Sequence, residues 1–131
     1  MIILVSGPII VEDKKVLLNI SGNSSEWKTC GGKVEPEDVD LFATCRREAK
    51  EEMNIELERL SVDPFLFYTT KQNADRVTDI VLIHFLAKAI GEITPGSDVR
   101  EWKWIPIDEL DHYDLAPNIK PALKYFGYLE K

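Results

Sequence analysis

The chain has 131 residues, 44% hydrophobic and 30% charged, a balance that suits one folded domain over 1–131 and excludes a disordered tail. Sixteen Lys and Arg face 23 Asp and Glu, and the formal net charge of -7 argues against duplex DNA or an anionic membrane as a partner. An anionic ligand would need more than the protein's net charge to hold it, and a bound cation is the first candidate. Cys30 and Cys45 cannot build a disulfide scaffold and read as reduced thiols of a cytoplasmic protein.

The apolar opening is interrupted by Ser6, Gly7 and Pro8 and is shorter than the ~20 residues of a membrane span, so a strand is expected rather than a leader or anchor. Residues 2–11 and 16–20 flank the polar stretch EDKK and predict a hairpin. Residues 21–37, rich in Gly, Ser, Asn and Pro, predict a long loop. From about 38 to 53 the pattern turns helical, with Phe42, Cys45, Ala49 and Met53 on one apolar face. Asp38 or Asp40 can cap its start, and Asn54 can close its end in a left-handed turn. Residues 55–70 predict one strand or a bent pair broken at Asp63 and Pro64, followed by a polar loop over 71–76. The apolar run 77–90 predicts a central strand, in which His84 is expected to be a satisfied core histidine. A loop over 91–98, a strand over 101–105, a short helical turn over 106–110 and a closing helix over 117–129 complete the chain. This order predicts an α+β fold, an α/β/α sandwich around a mixed sheet.

Glu48, Glu51 and Glu52 are spaced i, i+3 and i+4, so a helix converges their carboxylates at the margin of its apolar stripe. Like charges so placed destabilise a helix by ~0.2–0.5 kcal/mol per pair. Three hard oxygen donors within one turn suit Mg²⁺ or Mn²⁺. Ahead of them Gly31 and Gly32 let backbone approach a ligand closely.

Residues 31–55, GGKVEPEDVDLFATCRREAKEEMNI, resemble the Nudix box, G-x5-E-x7-R-E-U-x-E-E-x-G-U with U apolar. The stretch from Arg47 to Ile55 matches at every place but Asn54, where the family has glycine. One residue more than the pattern separates Gly32 from Arg47, and the first glutamate place falls to Glu37 or Asp38. Cys30 stands where proline is frequent, and Asn19 where many members carry arginine.

The resemblance implies hydrolysis of a nucleoside diphosphate linked to another moiety, with Mg²⁺ or, in its stead, Mn²⁺ as cofactor. Glu48, Glu51 and Glu52 would hold the metal, with the Gly32 carbonyl as a further ligand, and Arg47 would orient a glutamate. Glu52, Asp98 and Glu101 are the candidates for general base. Gly31, Gly32 and Lys33 are expected at the substrate phosphates, and Trp27 at the wall of the site. Neither the proline nor the tyrosine that marks two subfamilies stands in residues 70–73, which leans the substrate toward nucleoside triphosphates. Many relatives are homodimers, so a second copy of the chain is the one protein partner the resemblance implies. A non-catalytic nucleotide-sensing module is the alternative.

Overall fold

In the computed structural model, which describes residues 1–130, the chain runs through β1 (Ile2–Glu12), β2 (Lys15–Ser21), β3 (Gly32–Lys33) and α1 (Leu41–Met53). It continues as β4 (Glu56–Arg59), β5 (Phe65–Asn73), β6 (Arg76–Ile90), β7 (Val99–Pro106), a 3-10 helix (Ile107–His112) and α2 (Ile119–Tyr125). The first hairpin turns on Asp13 and Lys14, at φ of 50° and 62°, and two left-handed central residues match the twist of the flanking strands.

That hairpin opens almost at once, and the opening places the site. β1 and β2 pair only at Val11↔Val16 and Glu12↔Lys15. Beyond them β1 runs parallel to β6, from Ile2↔Asp79 to Ile10↔Ala87, while β2 pairs antiparallel with β7. Gly7 and Pro8 lie along the stretch of β1 that has parted from β2. Pro8 has no N–H to give a ladder, and a Cβ on Gly7 would overlap the Cys30 carbonyl. The chain then bridges the gap it has made: Lys28 pairs with Asn19 of β2, and Gly32 with Ser6 of β1.

Period-two alternation distributes the core to both faces of the sheet. Ile10, Leu17, Ile83, Phe85 and Ala87 pack under α1 with Phe42, Cys45, Ala49 and Met53. Ile9, Val16, Leu18 and Ile105 face the 3-10 helix and α2, meeting Leu110, Ile119, Ala122 and Leu123. The layers are therefore helix, mixed sheet, helix, as expected.

α1 begins at Leu41, three residues later than its sequence pattern suggests, because Asp40 caps it by accepting from the Ala43 amide at 2.7 Å. Asn54 closes it at φ 59°. Residues 55–70 resolve into β4 and β5. The expected loop over 71–76 is instead the tip of a tight hairpin, with Gln72↔Val77 and Asn73↔Arg76 paired. Cross-strand pairing there overrides a polar composition. The last helix is shorter than expected, and Gly127 at φ 89° follows its end. No helix among the described residues is long and apolar enough to cross a membrane.

Candidate active site

Arg47 is the hub of the acidic face. Its Nε and Nη2 donate to the two carboxylate oxygens of Asp38, each at 3.0 Å, and Nη2 also donates to the Lys33 carbonyl at 3.0 Å. Asp38 accepts further from the Glu35 amide at 2.9 Å and from Thr44 Oγ1 at 2.8 Å. The paired guanidinium, foremost, holds the Asp38 carboxyl well below the usual carboxylate range. Asp38, and not the exposed Glu37, is thus the acid that grips the arginine. The remaining Arg47 nitrogen, Nη1, lies 3.5 Å from Glu48 Oε1 and 3.5 Å from Glu51 Oε1.

Glu48 lies against the glycine loop: its carboxylate occupies the place a Cβ on residue 32 would take, so a larger residue there would push the Glu48 side chain aside. Burial raises the Glu48 pKa, with repulsion from Glu51 the next cause. Glu52 is more deeply set. Its pKa is pushed up to about 7, first by burial and then by the Glu48 charge, against a hydrogen bond from the Gly31 backbone and the charge of Lys28.

Glu52 belongs to two concavities at once. One, of about 310 Å³, occupies the gap between the parted strands, with Lys28, Gly31, Asp98, His84 and Asn118 among its walls. The other, of about 340 Å³, is lined by Glu48, Glu51, Glu52 and the loop from Gly96 to Val99. That loop leans on the C-terminal end of α1: the Gly96 amide donates to the Glu52 carbonyl at 2.7 Å. Asp98 borders both cavities.

Three carboxylates and a close backbone around one cavity are a hard-oxygen donor set, which fits a divalent cation. Among the described residues they are not gathered into a ligand cluster. Arg47 draws Glu48 and Glu51 to itself, while Glu52 lines the cleft together with Gly31.

Of the residues singled out in the sequence, Glu48, Glu51, Glu52, Gly31, Gly32 and Arg47 come together here. Three do not. Glu101 is exposed on β7 opposite Ile20 and borders neither cavity; Asp98, three residues earlier, takes that place. Trp27 is bridged to Leu115 and packs edge-on against Tyr113 at 5.7 Å, so it ties the loop to the α2 side of the core. Lys33 contributes its carbonyl to Arg47 while its side chain is exposed. Lys28, Ser21 and Asn118 carried no signal in the sequence beyond their residue types, because only the parting of the strands gathers them. Asn19 is buried, and neither polar atom of its amide has a partner among the described residues.

An arginine-organised carboxylate face beside a cleft that carries a single lysine is the equipment of an enzyme that handles phosphoric anhydrides. The comparisons with known proteins agree. The family model for the NUDIX domain matches residues 4–126, and the chain belongs to the Nudix family, whose pyrophosphohydrolase activity it shares. It is 28% identical over 111 residues to the nucleoside triphosphatase NudI of Escherichia coli, covering 79% of this chain and 78% of that one. The solution structure of the E. coli ORF135 protein superposes with a TM-score of 0.70 at 26% identity, covering 95% of this chain and 88% of the other. The MutT NUDIX hydrolase of Burkholderia pseudomallei, at 24% identity, speaks for the fold: TM-score 0.76 over 95% of this chain and 97% of its own.

Proposed function

We propose that the protein is a divalent-metal-dependent hydrolase of nucleoside triphosphates. The observation that carries this reading is Glu52, which faces both the acidic cavity and the cleft between the strands, so metal and substrate phosphates would meet at one carboxylate. NudI, the relative at 28% identity, is a nucleoside triphosphatase, and that supports the choice of substrate.

Glu48, Glu51 and Glu52 would hold Mg²⁺, with Mn²⁺ as substitute; the Gly32 backbone lies against the Glu48 carboxylate, and its carbonyl would be a further ligand. The cation, when bound, neutralises charge on the phosphates and activates water. Arg47 keeps Glu48 and Glu51 turned toward one another while Asp38 absorbs most of its charge. Lys28 is the only cationic side chain bordering the cleft among the described residues and offers the phosphates a counter-charge. Asp98, at the rim of both cavities, takes the proton of the water whose oxygen attacks phosphorus. The P–O–P bridge then breaks, and the leaving phosphate carries off the bond's electron pair.

Glu52→Gln is expected to lower kcat by orders of magnitude with far-ultraviolet circular dichroism unchanged, and excess chelator to abolish product release. Asp98→Asn should reduce kcat with little change in KM, whereas Glu101→Gln should stay within about twofold of the parent, a margin below 0.5 kcal/mol. Full turnover by Glu52→Gln, or in excess chelator, would sink the reading.

A further inference from the structure

Residues 100–104 of β7 border neither cavity, yet Arg100, Glu101, Trp102 and Lys103 are all exposed. β7 ends the sheet. It pairs with β2 on one side, and among the described residues no backbone bond reaches 100–105 on the other. An open edge of this kind is a template for another strand.

What the edge offers follows from β2. The Asn19 amide donates to the Lys28 carbonyl at 2.8 Å, and the Asn19 carbonyl accepts from the Lys28 amide at 2.9 Å, so both groups point away from β7. Trp102 stands opposite Asn19. In an antiparallel pair, opposed residues either exchange both backbone bonds or turn both away. Trp102 therefore points its amide and carbonyl to the open side, and so, two residues on, does Trp104.

A second strand must set outward groups against outward groups. If that strand is β7 of another copy, antiparallel about a two-fold axis, the pairing centres on one residue that meets itself. Centring on Arg100, Glu101 or Lys103 brings like charges together. Centring on Trp104 sets Trp102 against Pro106, which has no N–H to donate. Centring on Trp102 does neither. The two Trp102 residues then exchange both backbone bonds, and each Glu101 stands opposite the partner's Lys103. In that rung the Cα atoms are about 4.5 Å apart and the side chains share a face. Lys103 already lies on that face, 5.3 Å from the centroid of the Tyr113 ring. Trp102, 37% exposed, would bury against its copy on the other face. β5 offers no such match: Lys71 is its only charged residue, so no register of that strand with itself pairs opposite charges.

We propose that two copies of the chain associate antiparallel through β7, centred on Trp102, and join their sheets into one. A net charge of -7 on each copy opposes the contact at long range. Residues 99–104, however, carry two cations and one anion, so the seam itself is free of that excess. A seam from Arg100 to Trp104 lies at the small end of specific interfaces, and the dimer accordingly forms and dissociates with concentration. Metal and substrate play no part in it, so the enzymatic reading stands or falls separately.

Sedimentation velocity of the full chain over a concentration series tests the seam. The parent should pass from monomer to dimer with no larger species. Glu101→Lys and Lys103→Glu each set like charges opposite one another and should weaken the dimer about tenfold or more. Combined, they restore opposite charges and should bring the dimer back to within about threefold of the parent. Trp102→Pro removes an N–H that points away from β2, so the fold should hold while the dimer is lost. A parent that stays monomeric up to about 1 mM, leaving the edge to water or to a different protein, overturns the proposal. So does a dimer that both single reversals leave intact, a folded double variant that stays monomeric, or assembly beyond the dimer. Should the double variant not fold, Trp102→Pro decides: a dimer that survives it does not use this edge.

Discussion

Asp38 occupies the place that the box pattern gives to a glutamate, one methylene longer, and the chain carries one extra residue before Arg47. The sequence left Glu37 and Asp38 equal for that place, because both are acids in one loop. Only the bidentate geometry separates them: both Asp38 oxygens meet Arg47, with Thr44 and the Glu35 amide on the same carboxylate. The pairing has a pH signature. The folded-state pKa of Asp38 lies below its unfolded value of about 3.9, so its contribution to stability is complete above the ordinary carboxylate range and is lost as pH falls through it. Asp38→Asn should therefore lower Tm by several degrees between pH 6 and 8, and the gap to the parent should narrow steadily below about pH 4. Melting curves collected across that range check it; a gap independent of pH would show that charge pairing with Arg47 contributes nothing.

At the scale of elements, α1 was legible because one helix carries both of its signals. The 3.6-residue stripe of Phe42, Cys45, Ala49 and Met53 predicts the buried face, and all four are buried. The cleft was not legible, since its walls come from β1, β2, α1, β6, the loops before β3 and β7 and the segment before α2. Periodicity describes neighbours on one element and says nothing about which elements meet. For the same reason the sequence does not separate Glu101 from Asp98; the loop leans on α1 at Gly96 and brings Asp98 to both cavities. A Cβ on residue 96 would stand 2.7 Å from the Glu51 carbonyl oxygen and 3.5 Å from that of Glu52. Both are backbone atoms at a helix end and cannot swing aside. Gly96→Ala should push the loop outward and carry Asp98 with it. The expected result is a 10–100-fold fall in kcat/KM, the scale of an ångström-sized misplacement, with the secondary structure seen by circular dichroism intact. Parental kcat/KM would mean that Asp98 has no part in the chemistry.

Across the whole molecule, a net charge of -7 means that every carboxylate buried against its fellows weakens the native state. Glu52 shows this most clearly: it lies half-buried, and burial together with Glu48 opposes its ionised form. A core built for stability alone would place an uncharged side chain there. Glu52→Gln keeps the shape and a hydrogen-bonding oxygen for the Gly31 backbone while removing the charge. In excess chelator at pH 8, the variant should therefore melt a few degrees above the parent. Mg²⁺ should reverse the order. An ion that binds only the native state stabilises it by about 2.7 kcal/mol at a hundredfold excess over Kd, and the parent keeps three carboxylates to gain from it where the variant keeps two. The two melting curves should thus cross as Mg²⁺ is titrated in, with turnover following the parent alone. A variant less stable than the parent in chelator would show that Glu52 is held by favourable contacts and carries no functional strain. Parallel gains in Mg²⁺ would place the cation somewhere other than at Glu52.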